Sequence, residues 1–236
     1  MKLKKAVCLL SGGLDSATTC YIAKNKGYQI YALSFLYGQK HKKEVKCAKK
    51  IASKVDAFEH VFFEIDLSKF KGSSLTDSKK KIPIDQELDD IGKKIPSTYV
   101  PARNTVFLSI ALAYAETINA DAIFIGVTAT DYSGYPDCRP EYIRSYQKMA
   151  DLATKKAIEG KPVEIITPLL FLSKSEIIRK GLKLGVPYED TWSCYKGEKE
   201  ACGRCDSCKL RLKGFMKNNL DDPIKYSSYP KGYKKK

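Results

Sequence analysis

The sequence predicts an α/β fold: a doubly wound parallel sheet followed by a small cysteine-rich C-terminal segment. Three observations predict it. Short apolar runs of strand length alternate with segments of helical length and period. The first run, Ala6-Val7-Cys8-Leu9-Leu10, passes straight into the turn Ser11-Gly12-Gly13-Leu14-Asp15-Ser16. Four of the eight cysteines, Cys194, Cys202, Cys205 and Cys208, fall inside fifteen residues.

Each element follows in chain order. Residues 4–10 form the first strand, and the helix marked by Ala17, Tyr21 and Ile22 runs to Gly27, a C-cap glycine. Residues 29–35 form the second strand. Residues 41–55 form a helix with Val45, Ala48, Ile51, Ala52 and Val55 on one face and Lys42, Lys43, Lys46, Lys49 and Lys50 on the other. Residues 58–65 make the third strand. Residues 71–98 are polar and Pro-broken, a long loop or lid rather than a domain boundary. Residues 104–117 read as a helix that is apolar nearly all round and therefore buried. Residues 122–127 give the fourth strand, 139–159 a helix opened by Pro140, and 163–167 the fifth strand. There is no internal repeat. The expected division is a nucleotide-binding α/β domain over 1–190, a metal-binding segment over 191–225 and a disordered tail over 226–236.

Composition bounds the function. At 236 residues the chain can bury a full core, and 42 Lys and Arg against 27 Asp and Glu give a net charge of +15. That balance suits acidic ligands. It does not by itself indicate nucleic acid, because only Arg103, Arg139, Arg144, Arg179, Arg204 and Arg211 can read bases or phosphates bidentately. The basic start leads into a strand too short for a signal peptide. No apolar run approaches the ~18 residues of a membrane helix, so a soluble, cytoplasmic protein is expected.

The motifs carry the chemistry. Two glycines after an apolar strand expose successive N–H groups, and the helix starting near Leu14 presents its positive end, so the Ser11–Ser16 turn suits a phosphate. A strand-to-helix turn of no chemical meaning is the alternative. The loop lacks the Lys of the Gly-x4-Gly-Lys nucleotide motif. The cluster Cys-x7-Cys-x2-Cys-x2-Cys can close a tetrahedron around a structural zinc ion, and in a reducing cytosol a pair of disulfides is the weaker explanation. Lys196, Lys199, Arg204, Lys209 and Arg211 lie close enough in sequence to balance its charge. The other unusual segments also follow strands, and so belong to the carboxyl edge of the sheet where doubly wound folds bind ligands. Residues 34–39 can meet an adenine. Residues 99–104 place Arg103 at a helix start, with an N-cap Asn104 and a surface Arg103 as the plainer reading. In the stretch 126–139, Asp131 and Asp137 can accept the N–H donors of a guanine-like edge or hold Mg²⁺; Tyr132 and Tyr135 can flank a ring, and Arg139 can hold a carboxylate. Ser173 and Glu176 form a capping box that puts Lys174 in the first turn of a helix, against the dipole, which a nearby phosphate would explain; a solvated Lys that tolerates the small penalty is the plainer reading.

The Ser11–Ser16 turn resembles the pyrophosphate loop of the adenylating PP-loop ATP pyrophosphatases, with their adenine nucleotide alpha hydrolase-like fold. With Tyr37-Gly38-Gln39-Lys40-His41, Val100-Pro101-Ala102-Arg103-Asn104, the stretch from Thr130 to Arg139 and the four cysteines, the chain from about Lys5 to Tyr226 resembles the 7-cyano-7-deazaguanine synthase family. Leu10, where the family often has Phe, and Ala17, where it often has Thr, are mild departures. The resemblance implies conversion of 7-carboxy-7-deazaguanine and ammonia to the nitrile base through adenylated acid and amide, in queuosine-type tRNA base synthesis. It implies ATP with Mg²⁺ as substrate, one structural zinc, and ATP binding by Leu10, Ser11, Gly12, Gly13, Leu14, Asp15, Ser16, Ala17, Thr18, Thr19 and Cys20. It further implies Lys174 and Asp15 as catalytic residues and Arg103, Asp131, Tyr132, Tyr135, Asp137 and Arg139 on the base. Direct tRNA binding is not expected, and a homodimer is open. Two other readings stand beside it: a tRNA-modifying PP-loop enzyme, with Cys138 as its only candidate catalytic thiol, and a zinc-stabilised nucleic-acid-binding protein.

Overall fold

The computed structural model describes residues 3–39, 43–130, 134–196 and 199–233. Five parallel strands, β1 (Lys5–Leu9), β2 (Gln29–Leu36), β3 (Glu59–Glu64), β4 (Ala122–Phe124) and β5 (Glu164–Ile166), form one sheet in the order β3-β2-β1-β4-β5. The chain winds outward from β1 to β3, then returns to the other side of β1 for β4 and β5. The topological switch point therefore lies between β1 and β4, where a doubly wound sheet opens a crevice.

Alternation along β1 sends Ala6 and Cys8 to one face and Val7 and Leu9 to the other. On the first face pack α1 (Leu14–Asn25), α2 (Lys43–Lys54), α6 (Lys174–Lys183) and Phe215 of α7 (Asp206–Lys217). The second takes α3 (Arg103–Thr117) and α4 (Pro140–Ala153). Ile51, Leu108, Ile123 and Ile177 are all 0% exposed, and full burial of such side chains contributes about 1.5–3 kcal/mol each. At the end of α1, Gly27 takes φ +82°, and the N–H groups of Gly27 and Tyr28 donate to Lys24 and Ala23 carbonyls in a Schellman pattern.

Four expectations change. Helix α3 is not buried all round: Leu108, Ala111, Leu112 and Ala115 face the sheet, while Ser109, Ala113 and Thr117 face solvent, their small side chains leaving the period faint. The helix expected over 139–159 breaks at Thr154, whose hydroxyl donates to the Ala150 carbonyl and accepts from Ala157 N–H to start α5 (Lys155–Ile158). β4 is a strand of three residues; beyond it Ile125 N–H still donates to the Ile166 carbonyl, and Ile125 and Val127 stay buried. Of the tail expected to be disordered, residues 226–233 pack onto the cysteine segment. Tyr226 bridges Ala201, Ser228 Oγ donates to the Cys202 carbonyl at 2.6 Å, and the Tyr229 and Tyr233 rings stack at 4.9 Å. Gly203 at φ +70° permits this approach, since a Cβ there would overlap the Ser228 carbonyl.

The long loop is tied at its neck and tip. Ser74 N–H donates to the Ser97 carbonyl and Ser73 Oγ to that of Thr98, while Asp85 pairs with Arg204 and Lys209 Nζ donates to the Gln86 carbonyl. No helix among the described residues is long and apolar enough to cross a membrane.

Candidate active site and zinc centre

The Ser11–Ser16 loop leaves β1 at the switch point. Gly12 adopts φ +86°, and a Cβ there would strike the backbone of α2, with Ala48 N only 2.6 Å away, so both conformation and space require glycine. Gly13 is the N-cap of α1 with no side-chain cap, which leaves the first-turn N–H groups for a ligand. The two hydroxyls close on the loop itself: Ser11 Oγ and Ser16 Oγ lie 3.0 Å apart, and Ser16 Oγ donates to the Gly13 carbonyl.

Lys174 enters from α6, where Ser173 and Glu176 form the expected capping box. Its ammonium lies 2.6 Å from both carboxylate oxygens of Asp15, so the two residues expected to be catalytic meet beside the loop. Glycines make this approach. A Cβ on Gly214 would come within 2.9 Å of Lys174 Cγ, and one on Gly126 within 2.9 Å of Thr19 Oγ1 and 3.1 Å of the Asp15 backbone.

These groups face a cavity of about 300 Å³, the size of a small-ligand site. It is lined by Leu10, Ser11, Asp15 and Ser16; by Tyr37 and Gln39 after β2; by Glu44 of α2; and by Arg103 and Phe107 of α3. Tyr135, Cys138 and Lys174 complete one side, and Tyr195, Ser207 and Leu210 of the cysteine segment form the far wall. The Arg103 guanidinium stands 5.8 Å from the Tyr37 ring centre and 5.9 Å from that of Phe107. Tyr135 hydroxyl shares a hydrogen bond of 2.9 Å with Thr98.

Several expected site residues serve other ends. Ala17, Thr18, Thr19 and Cys20 lie on the buried side of α1 and do not line the cavity. Thr18 bonds the Leu14 carbonyl and the Tyr188 hydroxyl, and from Ala17 onward the N–H groups are taken by the helix itself. Asn104 is not the N-cap of α3. That place falls to Ala102 at φ +51°, and the cap comes from Asp137, 33 positions on, whose carboxylate accepts the Asn104 N–H at 2.9 Å. Asp137 is buried, and Asn104 Nδ2 donates in turn to the Asp137 carbonyl and to Cys138 Sγ. Burial pushes the Cys138 thiol up to about 12. Arg139 is exposed and borders an adjoining hollow with Lys93, Lys94 and Gly134 rather than the main cavity. Asp131 and Tyr132 lie outside the described residues, as do Lys40 and His41.

Sequence reasoning passed over two features. Glu44, set among the lysines of α2, turns its half-buried carboxyl into the cavity, and burial pushes that carboxyl up to about 7 against the pull of Arg103. The second is the join between loop and cysteine segment: Trp192 N–H donates to the Gly12 carbonyl at 2.9 Å, and Lys43 Nζ stands 3.3 Å from the centre of the Trp192 ring.

The four cysteines converge as a metal centre. Their sulfurs are buried and lie within 4.8 Å of one another, Cys202 and Cys208 at 3.9 Å. Tetrahedral zinc with ~2.3 Å bonds needs sulfurs about 3.8 Å apart, so the donor set fits a closed, structural site. Three of the cations expected to balance it hold other partners, although the charges of Arg204 and Arg211 still act on Cys202 and Cys208. Arg204 pairs with Asp85, Lys209 with the Gln86 carbonyl, and Arg211 with Asp222. Backbone N–H groups of Cys202, Arg204 and Cys205 point at the sulfurs instead, at 3.3–3.4 Å.

The family model "Queuosine biosynthesis protein QueC" matches residues 5–219. The chain is 54% identical over 230 residues to the 7-cyano-7-deazaguanine synthase of Saccharophagus degradans, covering 97% of this chain and 100% of that one. It is 57% identical over 226 residues to that of Geotalea uraniireducens, covering 94% and 97%. Among solved structures, NMN synthetase from Francisella tularensis superposes with a TM-score of 0.50 at 18% identity, over 93% of this chain and 79% of that one, a likeness of fold alone. The pyrophosphate loop at the switch point, the four-cysteine centre and these matches together place the chain in the QueC family of 7-cyano-7-deazaguanine synthases.

Proposed function

We propose that the chain is a ligase converting 7-carboxy-7-deazaguanine and ammonia to 7-cyano-7-deazaguanine, with two ATP cleaved to AMP and pyrophosphate. The observation that carries the reading is the convergence of the Ser11–Ser16 loop, Lys174 and Arg103 on one cavity at the switch point. A carboxylate resists ammonia because its leaving group would be oxide. Attack of the carboxylate oxygen on the α-phosphorus expels pyrophosphate and gives an acyl adenylate; ammonia adds, AMP leaves and a proton is lost, giving the amide. Adenylation of the amide oxygen expels a second pyrophosphate with loss of one N–H proton, and loss of AMP and the second N–H proton gives the nitrile.

Charge builds on the departing pyrophosphate in both adenylations. The uncapped N–H groups of α1, the Ser11 and Ser16 hydroxyls and Lys174 meet it, with Mg²⁺ supplying further charge neutralisation. Asp15 holds Lys174 aimed at the loop until phosphate arrives. Arg103 is suited to the substrate carboxylate or the α-phosphate, and Tyr135 to the base. Asp137 acts through α3, holding Arg103 in place rather than touching the base. The zinc centre holds Tyr195 and α7 as the cavity wall. The chain acts on the free base without binding tRNA, and a homodimer is compatible with this reading.

Mass spectrometry of a reaction containing the zinc-loaded protein, Mg-ATP, ammonium and 7-carboxy-7-deazaguanine tests it. Nitrile formation with two AMP per product is the expected result. An unchanged base, with ATP cleaved only when tRNA is added, replaces it with direct tRNA modification.

A further inference from the structure

We infer that Glu44 is the residue that reads the donor edge of the base, a specificity-determining role that rests on the guanine-type substrate proposed above. Glu44 stands in the first turn of α2 with its carbonyl against Gly12, so its backbone is fixed on the pyrophosphate loop. Its side chain lines the cavity and has no hydrogen-bond or ion-pair partner among the described residues. The other carboxylates nearby are committed: Asp15 to Lys174, and Asp137 to the start of α3. Glu44 thus offers two open oxygens in a partly desolvated wall, a costly arrangement unless a ligand supplies donors.

The chemistry of the cavity selects the ligand. Phosphates belong at the Ser11–Ser16 loop and Lys174, and a carboxylate would repel them, so Glu44 suits the uncharged part of a ligand. A guanine-type edge carries a ring N–H beside an exocyclic amino group, two parallel donors that match two carboxylate oxygens. The edge of adenine sets one donor beside one acceptor and does not match. Tyr37 and Tyr195 line the same cavity and offer aromatic surface to a planar ring. Burial raises the Glu44 carboxyl to about 7, so on its own the group is partly protonated near neutrality, and two parallel N–H donors would favour its ionised form.

The test compares 7-carboxy-7-deazaguanine with its analogue lacking the 2-amino group, using the full zinc-loaded chain with saturating ATP and ammonium. The wild type should favour the amino base by about 10-fold to 100-fold in kcat/KM. In Glu44→Gln, which keeps one acceptor, that preference should shrink to about threefold or less, with the KM for ATP nearly unmoved. A preference retained in Glu44→Gln overturns the assignment. So does an effect confined to the KM for ammonium, which would make Glu44 an ammonia-binding group, or to that for Mg-ATP. Calorimetric binding of both bases to the wild type stands independent of how the variant folds, and equal affinities overturn the assignment. A wild type that converts neither base but binds the amino base more tightly sinks the proposed reaction and leaves Glu44 as the reader; one that neither binds nor converts them sinks both.

Discussion

Two ion pairs of equal length, one lining the cavity and one buried behind its α7 wall, differ in everything else. Lys174 and Asp15 meet at 2.6 Å with side chains 14% and 28% exposed, and they face the pyrophosphate loop. Arg211 and Asp222 also meet at 2.6 Å, but at 2% and 1% exposed. Arg211 further donates to Thr191 Oγ1 and the Tyr188 carbonyl, and Tyr226 hydroxyl donates to Asp222, so this pair has nearly exhausted its bonding capacity. The distance alone does not separate their roles. Access does: the open pair faces the cavity and is suited to exchange its partner for phosphate, whereas the closed pair is suited only to hold the wall.

The largest effect that would sharpen this contrast comes from the metal behind the closed pair. Cys205→Ser removes a fully buried ligand, and bound zinc measured by elemental mass spectrometry should fall from one per chain to near zero. Structural zinc is worth ~10 kcal/mol or more in small zinc modules. The thermal midpoint should drop further than for any other variant here, and activity should vanish with it. Arg211→Ala leaves Asp222 buried and unpaired, which should cost about 3–5 kcal/mol, or about 10 °C in Tm. Lys174→Ala leaves Asp15 partly hydrated, so stability should move by ~1 kcal/mol or less while kcat/KM falls ~100-fold to 1,000-fold. If both variants lose stability alike by thermal unfolding, the distinction between an open and a closed pair is wrong.

The open half of the molecule was the more legible in sequence. The Ser11–Ser16 turn, the capping box that aims Lys174 and the alternation of strands and helices are local patterns, each written within a few residues. The cysteine spacing was legible for the same reason. The closed half depends on partners far apart in the chain: Asp85 on Arg204, Trp192 on Gly12 and Lys43 on Trp192. No periodicity announces such contacts. The tail looked disordered because Ser, Tyr, Pro and Lys carry no regular pattern, yet Asp222 and Gly203 give it buried and close-packed anchor points. Glu44 was hidden by its neighbours, since one acid among lysines reads as part of a solvated face.

Smaller effects probe the boundary between the halves. Asp137→Ala removes the cap of α3 supplied from outside the helix, and should cost about 1–2 kcal/mol by denaturant unfolding. Because Arg103 is the first residue of that helix, the KM for the base should rise with it; Asp137→Asn, which keeps an acceptor, should recover most of the loss. A direct base contact would instead leave stability untouched. Cys138 should matter least. Its thiol is buried and protonated far above neutral pH, so at pH 7.5 it offers almost no thiolate for attack. The folded chain keeps this proton through the range above about 9 in which the unfolded chain loses it, so the thiol's contribution to stability falls as pH rises there. Cys138→Ala should cost about 1 kcal/mol and leave kcat/KM within about threefold, and alkylation of the native protein at neutral pH should spare this position. Abolished turnover in a folded Cys138→Ala would restore the thiol-dependent reading and move the chemistry from adenylation alone to covalent catalysis.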